Sequence, residues 1–363
     1  MKSQHVPESA VDDYLAWAER ALIDFGPIED IANGNLRKSE KIKAVLGHPL
    51  MGNASNRKNI DSLIIEQKLT DSMHRRLPLF LVLPAFPFKD QGAFNTESRP
   101  DEPDFGEVAL MVRMHCLALG LSRLHAEQVQ WIILSDGPLY APIFGLAPGL
   151  AERYLNRIRA FRDSLNLRST IHVLSLKDVV AKSRFSYGAA SGIDAFTKYV
   201  ADIRHTLESL SRVDAESNDA LQALTQDMMW NIDTRRYGQS AASQDIWNAL
   251  RGQKRSPLYS ELYEQSRETT LRYMACNIAL RLSRAIECQF PFALRATSHA
   301  KKGQVAIPRL GHVAPWNGVA VLRRRGRGWA DLESMRMYRA WQEGANVRAH
   351  LEGNEGAFFY EIS

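Results

Sequence analysis

The chain is poor in cysteine: Cys116, Cys276 and Cys288 are its only three, and no two are spaced as CxxC. A disulfide framework and a paired-cysteine metal site are thereby excluded, and a reducing compartment is implied. All three lie in helix-like apolar segments, where a buried thiol serves as a small hydrophobe. No HExxH, no P-loop and no glycine-rich dinucleotide fingerprint follows any strand-like run. No metal or nucleotide cofactor is therefore expected. The longest apolar run, Leu77 to Phe88, is interrupted by prolines and followed by Lys89. At about a dozen residues it is too short to cross a bilayer. The polar, acidic N-terminus lacks the basic-then-apolar order of a signal peptide, so a cytoplasmic protein with no membrane partner is expected. Internal repeats and low-complexity tracts are missing too.

What is present is an ordinary globular balance. Of 363 residues, 45% are hydrophobic and 24% charged, enough for one large α/β domain with a packed core. The formal charge of +5 and pI near 9.0 suit an anionic small substrate as well as a nucleic acid. The first seventy residues read as helices broken by turns such as Asn33-Gly34-Asn35 and Gly52-Asn53. Three apolar runs follow, Leu79 to Leu83, Gln130 to Leu134 and Thr170 to Leu174, each of the length and character of a strand buried on both faces. Between them lie two helical segments. One starts at Asp104, with Glu107 completing a capping box and Gly120 as a stop. The other carries Leu150, Tyr154, Ile158, Phe161 and Leu165 at helical spacing. Strand, helix, strand, helix, strand is the order of a parallel sheet, whose strands then end at one edge, where ligands bind.

The expected architecture is α/β, a Rossmann-like and mostly parallel sheet with a large helical insertion and a strand-rich C-terminal segment. Residues 1–75 form an N-terminal helical segment, 76–190 the core, and 191–290 the insertion. Residues 291–363 return to complete the core and its site. Within the insertion, Ser256-Pro257 starts a long helix with Leu271, Met274, Ile278 and Leu282 as its core stripe. Short strand-like runs close the chain at Gln304 to Ile307 and Gly318 to Leu322.

Several residues have both a chemical and a structural reading. Lys89, after Phe86-Pro87-Phe88, could offer its ammonium to a phosphate or carboxylate at the strand ends, or face solvent after a turn. Asp104 and Glu107 could act as acid or base, or only cap a helix. Asp136, in Ser-Asp-Gly, could do the same or stabilise its turn. Arg295 and His299 are four apart, hence on one face of either regular structure. They offer an anion clamp and a proton-transfer group, or a surface arginine beside an incidental histidine. Trp316 and Asn317 form a turn with an aromatic wall, or a turn with a core tryptophan. The run from Arg323 to Arg327 could touch nucleic acid, but its glycines favour a solvated hairpin, and no nucleic-acid partner is expected.

In order, LPAFPFK (83 to 89), PDFGE (103 to 107), ILSDGPLY (133 to 140), the tyrosine-bearing helix from Leu150, LRATSH (294 to 299) and APWNG (314 to 318) resemble the pyoverdine/dityrosine biosynthesis family. Bacterial members of that family are isocyanide synthases. The chain departs from the family pattern at Asp90 to Asn95, where Ser-Pro-Asn is usual, and at Asn317, where histidine is usual. The resemblance implies condensation of an amino-acid amine with ribulose 5-phosphate, without metal or redox cofactor. It further implies Lys89, His299, Asp104, Glu107 and Asp136 as catalytic candidates, and Arg295, Lys89, Phe86, Trp316 and Asn317 as substrate-binding ones. The partners it implies are the amino acid, the sugar phosphate and a downstream iron/2-oxoglutarate oxygenase. Two alternatives stand beside it: an N-formyl-forming or otherwise altered condensing enzyme on the same scaffold, and a non-catalytic ligand- or nucleic-acid-binding protein.

Overall fold

The computed structural model describes residues 4–5, 27–48, 52–88, 103–125, 127–236, 257–298, 300–308, 314–317, 319–323, 331–333, 347–351 and 357–362. In chain order the elements begin with β1 (Gln4–His5), α1 (Pro27–Asn33), α2 (Lys38–Leu46), α3 (Asn56–Asn59) and α4 (Leu63–His74). The core follows with β2 (Leu79–Ala85), α5 (Phe105–Ser122), β3 (Val129–Ser135), α6 (Gly137–Tyr140), α7 (Leu150–Ser164), β4 (Ile171–Ser175) and α8 (Leu176–Ala181). After the short hairpin β5 (Ser186–Tyr187) and β6 (Ala190–Ser191) come α9 (Gly192–Val213), α10 (Ala215–Arg236), α11 (Pro257–Ser283) and α12 (Ala285–Gln289). The chain closes with β7 (Leu294–Thr297), β8 (Val305–Ala306), β9 (Val319–Arg323), β10 (Asp331–Glu333), β11 (Val347–Leu351) and β12 (Ala357–Ile362).

The α/β architecture is the one expected. Five strands in the order β4-β3-β2-β7-β8 form a sheet in which every pairing is parallel. β2 is central, with β3 and β4 added on one side and β7 and β8 on the other. Such a reversal of direction opens a crevice at the carboxyl ends of the strands. The alternation within each strand builds two separate cores. Leu79, Leu81, Leu83, Trp131 and Ile133 face α5 and α7, whereas Val82, Ile132 and Leu134 face α8, α9 and α11.

Helix α5 is apolar all round and buried over nearly its whole length. By length and composition it could cross a membrane, but here it lies between two sheets, touching β3 on one side and β9 and β12 on the other. A helix covered on all sides needs no polar face. Its start is fixed as the sequence predicts: Gly106 N donates to Asp104 Oδ1 at 2.7 Å and Asp104 N donates to Glu107 Oε2 at 2.9 Å. The helix does not stop at Gly120 but runs to Ser122. Gly120 serves close approach instead, since a Cβ there would lie 2.6 Å from Ile28 Cδ1.

The two ends of the chain differ from expectation. The strand-rich end divides: β7 and β8 complete the parallel sheet, whereas β9 to β12 join β1 in a second sheet ordered β1-β11-β12-β9-β10. The N-terminal segment is therefore not purely helical, because Gln4 and His5 pair with His350 and Leu351. β9 and β10 pair antiparallel across the basic run, as a hairpin requires, and Arg324 to Arg327 themselves lie outside the described residues.

The insertion is a bundle of α9, α10 and α11, with Arg204 bridging Glu208 and Glu268 across it. The buried face of α11 is rotated from the expected stripe. Leu271, Ala275, Cys276 and Ala279 are buried, while Leu282 is 60% exposed. Large side chains marked one face, but helices that must pack on both the bundle and the sheet bring their small residues to the contact. Cys288 is also not the buried thiol expected: it is exposed, and Cys116 and Cys276 are buried.

Tyr154, on α7, donates its hydroxyl to Glu107 Oε1 at 2.8 Å, both side chains being fully buried. Burial and the adjacent Glu107 push this phenol well above its ordinary range, so it keeps its proton and donates. Tyr154→Phe should cost about 1–3 kcal/mol, the usual loss when one partner of a buried hydrogen bond is removed. Urea unfolding of both proteins measures it; an unchanged midpoint would show that the bond holds nothing.

Candidate active site

One cavity of about 740 Å³ opens at the carboxyl edge of the parallel sheet. Its floor comes from the strand ends: Pro84 and Ala85 at the end of β2 with Pro87 and Phe88 after it, Asp136 after β3, and Arg295 to Thr297 on β7 with Ser298 after it. Its roof comes from the helical insertion, through Met228 on α10 and Tyr273, Asn277, Leu280 and Arg281 on α11. Trp316 closes one side, with its ring 5.2 Å from that of Phe86. Phe88, Phe144, Tyr273 and Tyr140 make a continuous aromatic wall, with successive ring centroids 5.9, 5.8 and 5.3 Å apart.

The Ser-Asp-Gly turn earns its composition by contact with the loop after β2. Ser135 Oγ donates to the Phe86 carbonyl at 2.8 Å. Beside it, a Cβ on Gly137 would fall 1.6 Å from the Pro87 carbonyl oxygen, so no other residue fits. Phe86 itself holds φ at 60°, an unusual conformation for a bulky residue. Asp136 lies between these two locks and is thereby directed into the cavity.

Asp136 makes no side-chain cap to α6. Its Oδ1 is shut off from solvent and has no hydrogen-bond partner among the described residues. Burial raises its carboxyl to about 7, against the opposing pull of its own backbone N–H and of the Arg295 charge. Across from it, burial lowers the Arg295 guanidinium, while Glu287, Tyr140 and Asp136 work the other way. A guanidinium stays charged regardless, so Arg295 is a partly buried cation available to an anion. Lys68, from α4, donates to the Ala293 carbonyl at 2.7 Å and so fixes the start of β7 that carries Arg295.

The site residues expected from the sequence separate accordingly. Asp136, Arg295 and Trp316 come together at the cavity, with Phe86 directly behind the tryptophan. Asp104 and Glu107 do not line it and are engaged in the α5 cap and with Tyr154. Asn317 falls in the 3-10 turn Pro315–Asn317, next to Trp316. Lys89 and His299 lie outside the described residues, each one residue beyond a cavity-lining neighbour, Phe88 and Ser298. Sequence reasoning missed Tyr140, Tyr273, Asn277, Arg281 and Glu287. Tyr140 was visible as the last residue of ILSDGPLY; the others sit in helices with no motif to mark them. Among the described residues no three His, Cys, Asp or Glu side chains cluster as metal ligands would.

The fold and the cavity define an α/β protein with a pocket at the carboxyl edge of a parallel sheet, the edge where such folds bind ligands. The model of the pyoverdine/dityrosine biosynthesis protein family matches residues 69–337, and the chain belongs to that family. The crystal structure of PvcA from Pseudomonas aeruginosa is similar in fold, with a TM-score of 0.61 over 85% of this chain and 92% of that one, at 16% identity. No curated protein matches the chain.

A carboxyl that holds its proton more tightly when folded favours the folded state at low pH. That advantage is lost as pH rises from its ordinary range near 4 to about 7. Asp136→Asn removes the penalty of the buried charge. The variant should match the parent in stability near pH 4 and exceed it at pH 8, by up to about 4 kcal/mol. Denaturant unfolding at the two pH values tests this; a variant less stable than the parent at pH 8 would overturn the assignment.

Proposed function

We propose that this protein is an enzyme of the isocyanide synthase type, acting in the cytoplasm on the amine of an amino acid and the ketone of ribulose 5-phosphate. The carrying observation is the meeting of a partly buried arginine with a carboxyl whose proton affinity burial raises to about 7, both lining one cavity. Family membership and the place of the cavity at the strand ends support the same reading. A volume of about 740 Å³ is in the upper part of the usual range for small-molecule sites and leaves room for two substrates together.

Each residue then has a task. Arg295 holds the phosphate or carboxylate, through the parallel donors of its guanidinium. Asp136 exists in both protonation states near pH 7. It takes a proton from the amine as nitrogen attacks the ketone, and returns one as the carbinolamine loses water. The keto carbon, now bonded to nitrogen, becomes the isocyanide carbon after phosphate leaves and the carbon–carbon bonds to it are cleaved. The aromatic wall and Trp316 keep bulk water from the intermediates. Lys89 and His299, adjacent in sequence to cavity residues, are assigned to anion binding and proton transfer. The product passes to an iron/2-oxoglutarate oxygenase.

The test is incubation with amino acids and ribulose 5-phosphate labelled at the keto carbon, followed by mass spectrometry. The label should appear as a single carbon on the amine nitrogen; its appearance as a formamide would favour the formyl-forming alternative, and its absence would exclude both. In the same assay Arg295→Lys, which keeps the charge but not the paired donors, should weaken sugar-phosphate binding roughly ten- to a hundred-fold. Unchanged calorimetric affinity would remove Arg295 from the anion site.

A further inference from the structure

Tyr140 lines the cavity one helical turn beyond Asp136, and its hydrogen bond has a direction. The Tyr140 hydroxyl lies 2.8 Å from Asn277 Oδ1, on α11 of the helical insertion. The Asn277 amide cannot be turned around, because its Nδ2 donates to the Tyr273 carbonyl at 3.1 Å. Reversed, it would place oxygen against oxygen. Asn277 therefore offers Tyr140 an acceptor only, and the phenol must be the donor. A phenol has one proton, and Asn277 Oδ1 holds it. The Cys276 thiol also lies within hydrogen-bonding reach of this oxygen, so what the phenol has left to offer a ligand is a lone pair and no hydrogen.

Burial, with Cys276 and Asp136 nearby, pushes the Tyr140 phenol well above its ordinary range, so the proton stays in place. The backbone fixes the pair as well: Tyr140 N donates to the Asp136 carbonyl at 3.0 Å. Two acceptor-bearing side chains, the Tyr140 phenol and the Asp136 carboxyl, thus line the cavity from adjacent turns of one segment.

We infer that Tyr140 Oη and the ionised Asp136 carboxylate form an acceptor subsite that receives the substrate's amine, with Asn277 as the positioning residue that sets the phenol's polarity. The inference rests on the amine-condensing reading given above and assigns the two substrates to different sides of the cavity. An ammonium group carries only donors and is matched by two acceptors. A phosphate or a ketone only accepts, finds no donor on Tyr140, and is left to Arg295.

The experiment is calorimetric titration of the parent, Tyr140→Phe and Asn277→Leu with the common amino acids. The des-amino analogue of whichever amino acid binds most tightly, and ribulose 5-phosphate, are titrated alongside. Tyr140→Phe should lose about ten-fold or more in affinity for the amino acid, while its affinity for the des-amino analogue and the sugar phosphate stays at the parent's value. Asn277→Leu frees the phenol proton to point into the cavity and should show the same selective loss. A purely structural role would weaken the amino acid and its des-amino analogue together. If the parent binds an amino acid and neither variant discriminates against the amine, the subsite is wrong and the condensing reading stands. If the parent binds no amino acid, with or without the sugar phosphate, the condensing reading falls and the subsite with it. Should Tyr140→Phe fail to fold, Asn277→Leu decides the matter by the same comparison.

Discussion

The cavity depends on how closely the chain leaving β2 can approach the chain leaving β3. Parallel neighbours end side by side, and their backbones would ordinarily diverge into separate loops. Here a serine hydroxyl ties the two together at the Phe86 carbonyl, and a residue without a side chain lets the Pro87 carbonyl fill the space beside it. Phe86 accepts a left-handed backbone conformation to make this possible, at a cost of order 1–3 kcal/mol that the buried surroundings must offset. Because Asp136 sits between Ser135 and Gly137, the same contact that joins the loops aims the carboxyl. Moving either loop would move the acid.

Two buried carboxylates a short distance apart in this fold meet opposite fates. Glu107 is enclosed with donors, from the Asp104 backbone and from Tyr154, and serves the helix it begins. Asp136 is enclosed without enough of them, so burial raises its affinity for a proton instead. A buried charge with full hydrogen bonding is an architectural part; one left short of partners is held in readiness for something that arrives from outside. The cation that would compensate Asp136, Arg295, is itself partly desolvated and faces the same cavity.

The sheet was legible because its inner strands β2 and β3 read as nearly continuous apolar runs; these and the edge strand β4 fall within a residue or two of expectation. The cap at Asp104 was legible for a local reason, since both halves of a capping box lie three residues apart. What could not be read were contacts between distant segments. Gly120 looks like a helix stop until Ile28 is seen lying over it. The face of α11 follows from two neighbours packed at once, and large residues gave the wrong side. Of the site, Asp136 was legible from the Ser-Asp-Gly turn that ends a strand, and Arg295 from its spacing with His299. Asn277 had no such signal, since asparagine in a helix is ordinary until the tyrosine it faces is known.

The helical roof has an evolutionary consequence. Tyr273, Asn277, Leu280 and Arg281 reach the cavity from one side of a single helix, whereas Asp136 and Arg295 belong to the sheet. Substitutions along that helix can redraw what the cavity admits without disturbing a strand pairing or the joined loops beneath. Lineages that inherit the same floor are thus free to diversify their chemistry's clientele through Leu280 and Arg281 on that face of α11, provided Asn277 is kept.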